Sequence, residues 1–341
     1  MERKKVTFAD IAKYTNFSKT TISRYFNNPD SLTLENQEKI AKALEELGYQ
    51  KNKLAKVLAN GKSEFVGIII PNLYFHYYSE MLNKILASYE EYNYKFLVFI
   101  GNHKKEVERK YIQELLAYKI EGLIVLSNTI SSEELKSYNI PVVTIEREAK
   151  YVCSVDTDNY TGAAEATDLL IKNNCDVLIH INNIFPEYVP SYDRIRAFID
   201  VCDNNNAKYE LIRENFGYNY ESVFAKMQNI FNEIDEKYLG QKKGIFLSND
   251  TYANIFLNLV IQKYGNLPEH YRIVGFDNSP IASEAVVPIT TIAQQIDKIA
   301  NTAMDLLVLQ MNEMKKRRPT PLKEPIHKQI TPILIKRNTT D

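Results

Sequence analysis

The sequence predicts an all-α helix-turn-helix headpiece followed by an α/β core of two doubly wound parallel-sheet subdomains. Three observations predict it: a small basic segment ahead of an acidic body, a helix, break, helix pattern near the start, and a regular alternation of β-rich runs with amphipathic helices from residue 64 onward. The chain has 341 residues, 42 Lys and Arg against 43 Asp and Glu, and 45% hydrophobic content. That is enough apolar side chain for two or three packed units and too much for a disordered chain. No apolar run reaches about 18 residues, and the charged start of the chain has no apolar stretch behind it, so neither a membrane partner nor a secretory signal is expected. Cys153, Cys175 and Cys202 match no CxxC spacing. They are expected to be buried, reduced thiols of a cytoplasmic protein that holds no metal and no cofactor.

Near-neutrality conceals a division of charge. Residues 1–62 hold 12 Lys and Arg against 7 Asp and Glu, a net of +5, and the other 279 residues hold 30 against 36, a net of −6. A basic module on a mildly acidic body points to an anionic partner for the first and a separate task for the second.

The pattern of the first fifty residues specifies that partner. Phe8, Ile11 and Ala12 fall at i, i+3 and i+4, and Thr7 and Asp10 are spaced as a capping box. The run Thr15-Asn16-Phe17 breaks the helix, Asn tolerating a left-handed turn, and Ser18 can cap a second helix over Lys19 to Phe26. On that helix Ile22 and Phe26 share the apolar face. Lys19, Thr20, Thr21, Ser23 and Arg24 supply the hydroxyls and cations that suit groove edges and phosphates. A turn at Asn28-Pro29-Asp30-Ser31 leads to a third helix, about Leu34 to Leu47, that stops at Gly48. Beyond it, residues 52–61 read either as a conditional two-turn helix with an apolar Leu54, Val57, Leu58 face or as a polar linker.

From residue 64 the alternation begins. Strand-like runs are expected at 65–71, 95–100, 122–126 and 141–145, with helices between them. A second set starts near Asp156, with strands at 177–181, 244–248 and 271–276 and helices at 161–173, 192–203, 220–234 and 249–264. Such alternation argues for parallel sheets with helices on both faces. Two α/β halves leave a cleft where strand carboxyl ends face each other, the usual ligand position. The stripe Ala300, Ala303, Met304, Leu307, Val308 and Met311 reads as core or dimer surface, and the Lys315–Arg318 run as the solvated end of that helix.

These residues resemble the lactose-repressor (LacI/GalR) family of transcription regulators. The resemblance lies in Val6-Thr7-Phe8-Ala9-Asp10-Ile11-Ala12, in Ser18 to Arg24, in Leu47-Gly48-Tyr49 and in Ala55…Leu58-Ala59. In the body it lies in Glu121-Gly122-Leu123-Ile124, in Ile140 to Arg147, in Arg194 to Phe198, in Ser248-Asn249-Asp250, in Val274 to Asp277 and in Ile289 to Gln294. Asn16 replaces the usual turn glycine, Gln50-Lys51 replace a pattern with proline, and Phe75-His76-Tyr77-Tyr78 stands where the family often has Asn-Pro-Phe-Phe. The resemblance covers residues 5 to about 340.

It implies a periplasmic-binding-protein-like core and a homodimer on a pseudo-palindromic operator, controlled by a small, sugar-derived effector. It implies domains at 1–50 (headpiece), 51–63 (hinge), 64–155 plus 288–320 (first subdomain) and 156–287 plus 321–341 (second). By the same resemblance Ser18 to Arg24 enter the major groove, with Lys19 and Thr20 reading bases. Thr7 and Asn27 join the DNA-contacting set, as do Asn52, Lys53, Ala55 and the hinge leucine Leu58. Arg194, Asn249 and Asp277 would hold sugar hydroxyls, Tyr77 and Tyr78 would stack, and Phe276 and Gln294 belong to the same effector set. From spacing alone Asn249 and Asp277 also read as helix or turn caps. Arg147 either meets an anionic effector group or is a solvated rim residue, and His76 is either a ligand contact or structural. Two rivals remain: a sugar-binding protein without DNA function, against which the basic headpiece counts, and an enzyme, against which the lack of GxGxxG, P-loop and GxSxG motifs counts.

Overall fold

A computed structural model describes residues 6–49, 63–148, 150–320 and 322–341. The chain divides into two compact units, 1–62 and 63–341, each taken by itself below. The expected hinge residues Asn52, Lys53, Ala55 and Leu58 lie outside the described residues.

The described residues of the headpiece form the helices α1 (Phe8–Thr15), α2 (Lys19–Asn27) and α3 (Leu34–Glu46), with a 3₁₀ turn at Pro29–Ser31. Thr7 and Asp10 form the expected capping box. Asn16 takes φ 58°, so asparagine supplies the left-handed residue that ends α1. Ser18 Oγ accepts from Thr21 N at 3.0 Å and caps α2. Gly48, at φ 59°, lets the chain leave α3. Ile11, Ala12, Ile22 and Ile40 form the buried core, and Phe8 stacks on Phe26 at 5.3 Å beside it.

The body contains two six-stranded sheets. The first runs through β1 (Phe65–Ile70), α4 (His76–Ala87), the one-turn α5 (Tyr89–Tyr92), β2 (Lys95–Ile100), α6 (Lys105–Ala117), β3 (Gly122–Val125), α7 (Ser132–Ser137), β4 (Val142–Ile145) and β5 (Cys153–Thr157). The second follows with α8 (Asn159–Lys172), β6 (Val177–Asn183), α9 (Asp193–Asn204), β7 (Tyr209–Glu214), α10 (Tyr220–Lys237), β8 (Lys243–Leu247), α11 (Asp250–Tyr264), β9 (Tyr271–Asp277), α12 (Pro280–Glu284) and β10 (Thr290–Ala293). Then α13 (Ile296–Met314) and β11 (His327–Ile330) return to the first half, and β12 (Ile333–Ile335) goes back to the second. The sheet orders are β11-β5-β4-β3-β1-β2 and β12-β10-β9-β8-β6-β7, parallel throughout except that β12 runs antiparallel to β10.

Both faces of each sheet are covered, which is why the central strands are apolar without alternation. On β1, Val66, Ile68 and Ile70 pack under α4 and α13, while Ile69 points to the opposite face with Ile112 and Leu115 of α6. The second sheet is covered by α10 and α11 on one face and by α8 and α9 on the other. The apolar stripe of α13 is therefore core of the first subdomain. Cys153 and Cys202 are buried, Cys175 is half-buried, and all three are free thiols. No helix among the described residues is long and apolar enough to cross a membrane.

The expected boundaries within the body need correction. Residues 288–293 belong to the second sheet, because β10 pairs with β9, and residues 327–330 belong to the first, because β11 pairs with β5. The chain thus crosses between subdomains after Thr157, after Ala293 and after Ile330. Short edge strands such as His327-Lys328-Gln329-Ile330 lack an apolar signature, so periodicity could not assign them to a sheet. The strand β7 was likewise unforeseen, since Tyr209-Glu210-Leu211-Ile212-Arg213-Glu214 is an edge strand with partly exposed faces. Gly162, in α8 at the first crossing, is required by packing. A Cβ there would lie 2.8 Å from Ile292 and 3.0 Å from Pro332.

Candidate functional site

The headpiece presents one polar face built by α2. Burying Ile22 against Ile11 and Ile40 turns Lys19, Thr20 and Arg24 outward, where all three are exposed. Their side chains make no hydrogen bond or ion pair among the described residues, so their donors are available to a partner. The other expected contacts have local tasks as well. Thr7 and Ser18 cap helices, Thr21 Oγ1 lies 2.8 Å from Ser18 Oγ, and Asn27 Nδ2 donates to Ser23 Oγ at 3.2 Å. Capping fixes these hydroxyls at the start of a helix, where backbone N–H groups favour anions.

In the body, the carboxyl ends of the two sheets open onto a shared cavity of about 400 Å³. Its walls come from the positions where each strand order reverses. The segments following β1 and β3 meet those following β6 and β8, the crevice in which doubly wound folds hold ligands. Phe75, Tyr77, Tyr78, His103, Asn128, Thr129 and Glu146 line it from the first subdomain. The loop from Asn182 to Ser191, with Arg194, Tyr218, Ser248, Asn249, Tyr252, Asp277 and Gln294, lines it from the second.

The floor is a polar network centred on a buried arginine. Arg194 enters from the first turn of α9, where its Nε donates to Asn159 Oδ1 at 2.7 Å and its NH1 to the Ser248 carbonyl at 2.5 Å. The guanidinium lies 3.6 Å from the Phe276 ring centroid. Asn159 Nδ2 also donates to Glu146 Oε2 at 2.9 Å. Thr157 Oγ1 donates to Gln294 Oε1 at 2.7 Å, and Gln294 Nε2 donates to Asp277 Oδ1 at 2.5 Å. Burial raises the Asp277 carboxyl well above the usual range, opposed by Arg194. The backbone of Asp277 is itself unusual at φ 111°, a conformation that persists only where surroundings hold it. Asn249 caps α11 by accepting from Tyr252 N at 2.8 Å and also faces the cavity, so both readings of it apply.

Side chains of the first subdomain reach across the cleft. Tyr74 and Phe75 pack against the core of the second, Phe75 meeting Tyr252 edge-on at 5.7 Å. His76 Nδ1 lies 3.2 Å from Thr251 Oγ1, and His103 stacks on Tyr218. His76 thus bridges the halves outside the cavity lining. Phe276 supports Arg194 from beneath rather than lining the cavity.

Arg147 is neither a cavity-lining residue nor a solvated rim residue. It is only 2% exposed, and its two terminal nitrogens donate to the carbonyls of Ser127 and Ile130, away from the cavity. Glu146 takes φ 53°, and it is Glu146 that faces the cavity. Sequence reasoning also missed His103, Tyr188, Tyr218 and Tyr252. The available signal was their position in or beside segments that follow strand ends, which fixes a location without fixing side-chain direction.

Residues 7–52 match the model of bacterial regulatory proteins of the lacI family. Residues 63–177 match periplasmic binding proteins and sugar binding domain of LacI family, and residues 167–340 match the periplasmic binding protein-like domain. The chain belongs to the LacI family. As a LacI-family member it is a DNA-binding transcriptional regulator, and its headpiece and core correspond to the two parts of that family's architecture. It is 26% identical to the ribose operon repressor of Halalkalibacterium halodurans over 310 residues, covering 90% of this chain and 91% of that one. It is 27% identical to the sucrose operon repressor of Streptococcus mutans, covering 88% and 91%. Its fold is similar to the lac repressor dimer bound to operator and the anti-inducer ONPF, with TM-score 0.82, 20% identity and 99% of each chain covered.

Proposed function

We propose that this regulator is a cytoplasmic repressor of carbohydrate-utilisation genes, acting as a homodimer on a pseudo-palindromic operator and released or engaged by a sugar bound in its cleft. The observation that carries the effector role is the buried Arg194, held by Asn159 and Ser248 and stacked on Phe276, beside Asp277 at the floor of a cavity between two subdomains. A forked donor next to a buried carboxyl group suits vicinal hydroxyls. Tyr77, Tyr78, Asn249 and Gln294 complete that set. On the DNA side, Lys19 and Thr20 read base edges while Ser18, Thr21, Ser23, Arg24, Thr7 and Asn27 hold or orient phosphate contacts. Asn52, Lys53, Ala55 and Leu58 serve as the hinge that pairs at the operator centre.

Control follows from coupling the two sites. An effector that binds one arrangement of the subdomains better than another biases the hinge by its differential affinity, typically about 1 to 3 kcal/mol. No catalytic role is assigned to any residue.

The test uses the full chain in an operator-binding assay with and without sugars, beside a form lacking residues 1–61. The shortened form should lose operator binding and keep sugar binding, since residues 63–341 form a compact unit of their own. Retained operator affinity would refute the headpiece assignment.

A further inference from the structure

The chemistry of the cleft narrows the kind of sugar. Among the described residues the cavity is lined by one cationic side chain, Arg194, against two carboxylic acids, Glu146 and Asp277, and by no lysine. The guanidinium is also largely committed. Nε and NH1 are hydrogen-bonded within the protein and one face rests on Phe276, leaving the NH2 edge for a ligand. A phosphate or carboxylate brought here would meet a single, already shared cation beside Glu146, without the free bidentate forks that anion sites use.

Uncharged groups, by contrast, have partners waiting. Tyr77 is 8% exposed, lines the cavity, and its hydroxyl has no hydrogen-bond partner among the described residues. Burial pushes its hydroxyl well above the ordinary tyrosine range, so it stays protonated and can both donate and accept. A buried hydroxyl without a partner is costly, and a ligand hydroxyl would satisfy it.

The aromatic rings extend farther than one sugar ring needs. A single ring has two faces, and Tyr78 and Tyr252 already stand near the floor. Tyr188 is 63% exposed and Tyr218 46% exposed, and both line the same cavity at its solvent side. One side of Tyr218 is occupied by His103, at 3.7 Å between ring centroids. The ring of Tyr188 has no stacking partner among the described residues.

Resting on the assignment of this cleft as the effector site, we infer that the effector is an uncharged sugar of at least two linked rings. Tyr77, Arg194 and Asp277 hold the inner ring, and Tyr188 carries the outer ring at the mouth.

Calorimetric titration of the full-length protein tests this with sucrose, maltose, cellobiose and lactose. These are set against glucose, fructose, galactose and ribose and against glucose phosphate and sucrose phosphate. At least one disaccharide should bind about tenfold more tightly than its component monosaccharides, the order expected from one added ring contact. Phosphorylation should weaken binding. Tyr188→Ala should shrink the ratio of disaccharide to monosaccharide affinity about three- to tenfold, and Tyr77→Phe should weaken both sugars by a common factor of similar size. Tightest binding by a sugar phosphate or a monosaccharide overturns the inference and leaves the cleft as effector site. An unchanged ratio in Tyr188→Ala overturns the outer-ring contact. No heat with any sugar refutes both the inference and the assignment of the cleft.

Discussion

His103 and Tyr218, from opposite subdomains, stack face to face across the cleft with ring centroids 3.7 Å apart and planes 10° from parallel. Asn72 Nδ2 lies 2.9 Å from His103 Nε2 and fixes the ring from behind. Burial lowers the His103 imidazole to about 4, so the stack is made by the neutral ring.

A pH dependence follows. In an opened cleft His103 regains a pKa near the ordinary value of about 6.5, so the open form binds the proton more readily than the closed one. The stack's contribution is therefore complete above about pH 6.5 and is lost progressively as pH falls toward about 4. Fluorescence energy transfer between dyes on the two subdomains should report opening over that window in wild type and a flatter profile in His103→Phe. Identical profiles would refute a role for the stack in holding the cleft closed.

Arg194→Lys should abolish most of the effector response although it preserves the charge. Lysine gathers its donors on one atom and lacks the planar fork by which Nε and NH1 reach Asn159 and the Ser248 carbonyl separately, and it stacks less well on Phe276. Sugar affinity should fall at least about tenfold, the equivalent of one charged hydrogen bond, while operator binding without sugar stays near wild type. An unaltered dose response in the operator assay would contradict the role.

Lys19→Ala and Arg24→Ala separate base reading from phosphate contact. Loss of a phosphate contact weakens all sequences alike and lowers the slope of log affinity against log salt by about 1 per contact. Arg24→Ala should show that behaviour. Lys19→Ala should instead reduce discrimination between operator and mutated operator by about 1 to 3 kcal/mol. Anisotropy titrations at several salt concentrations read both quantities, and a flat salt profile in wild type would contradict the division of labour in which the basic headpiece makes the phosphate contacts.

Gly162→Val should destabilise the core at a position outside the cleft lining. The added Cβ would meet Ile292 at 2.8 Å, Pro332 at 3.0 Å and Phe276 at 3.2 Å, where α8 passes the crossings between subdomains. Overpacking of this kind costs about 1 to 3 kcal/mol, visible as a lowered thermal midpoint of the 63–341 unit with the headpiece transition unchanged.

Much of this was legible in the residues themselves, because local rules act over a few positions. Thr7 and Asp10 announce a capping box, Asn16 and Ser18 a turn and a cap, and Ile11, Ile22 and Ile40 the core of the headpiece. The unbroken apolar run Val66 to Ile70 announces a strand covered on both faces. Tertiary structure decided what local rules cannot reach. It placed β10 inside the second sheet and β11 at the edge of the first, since a short strand's sheet is decided by its hydrogen-bond partners rather than its composition. It turned Glu146 into the cavity and Arg147 away through one left-handed residue. It also brought His103 to Tyr218 and Arg194 to Phe276 across 115 and 82 residues of chain. Such contacts depend on how the layers pack, and no periodicity within either segment encodes them.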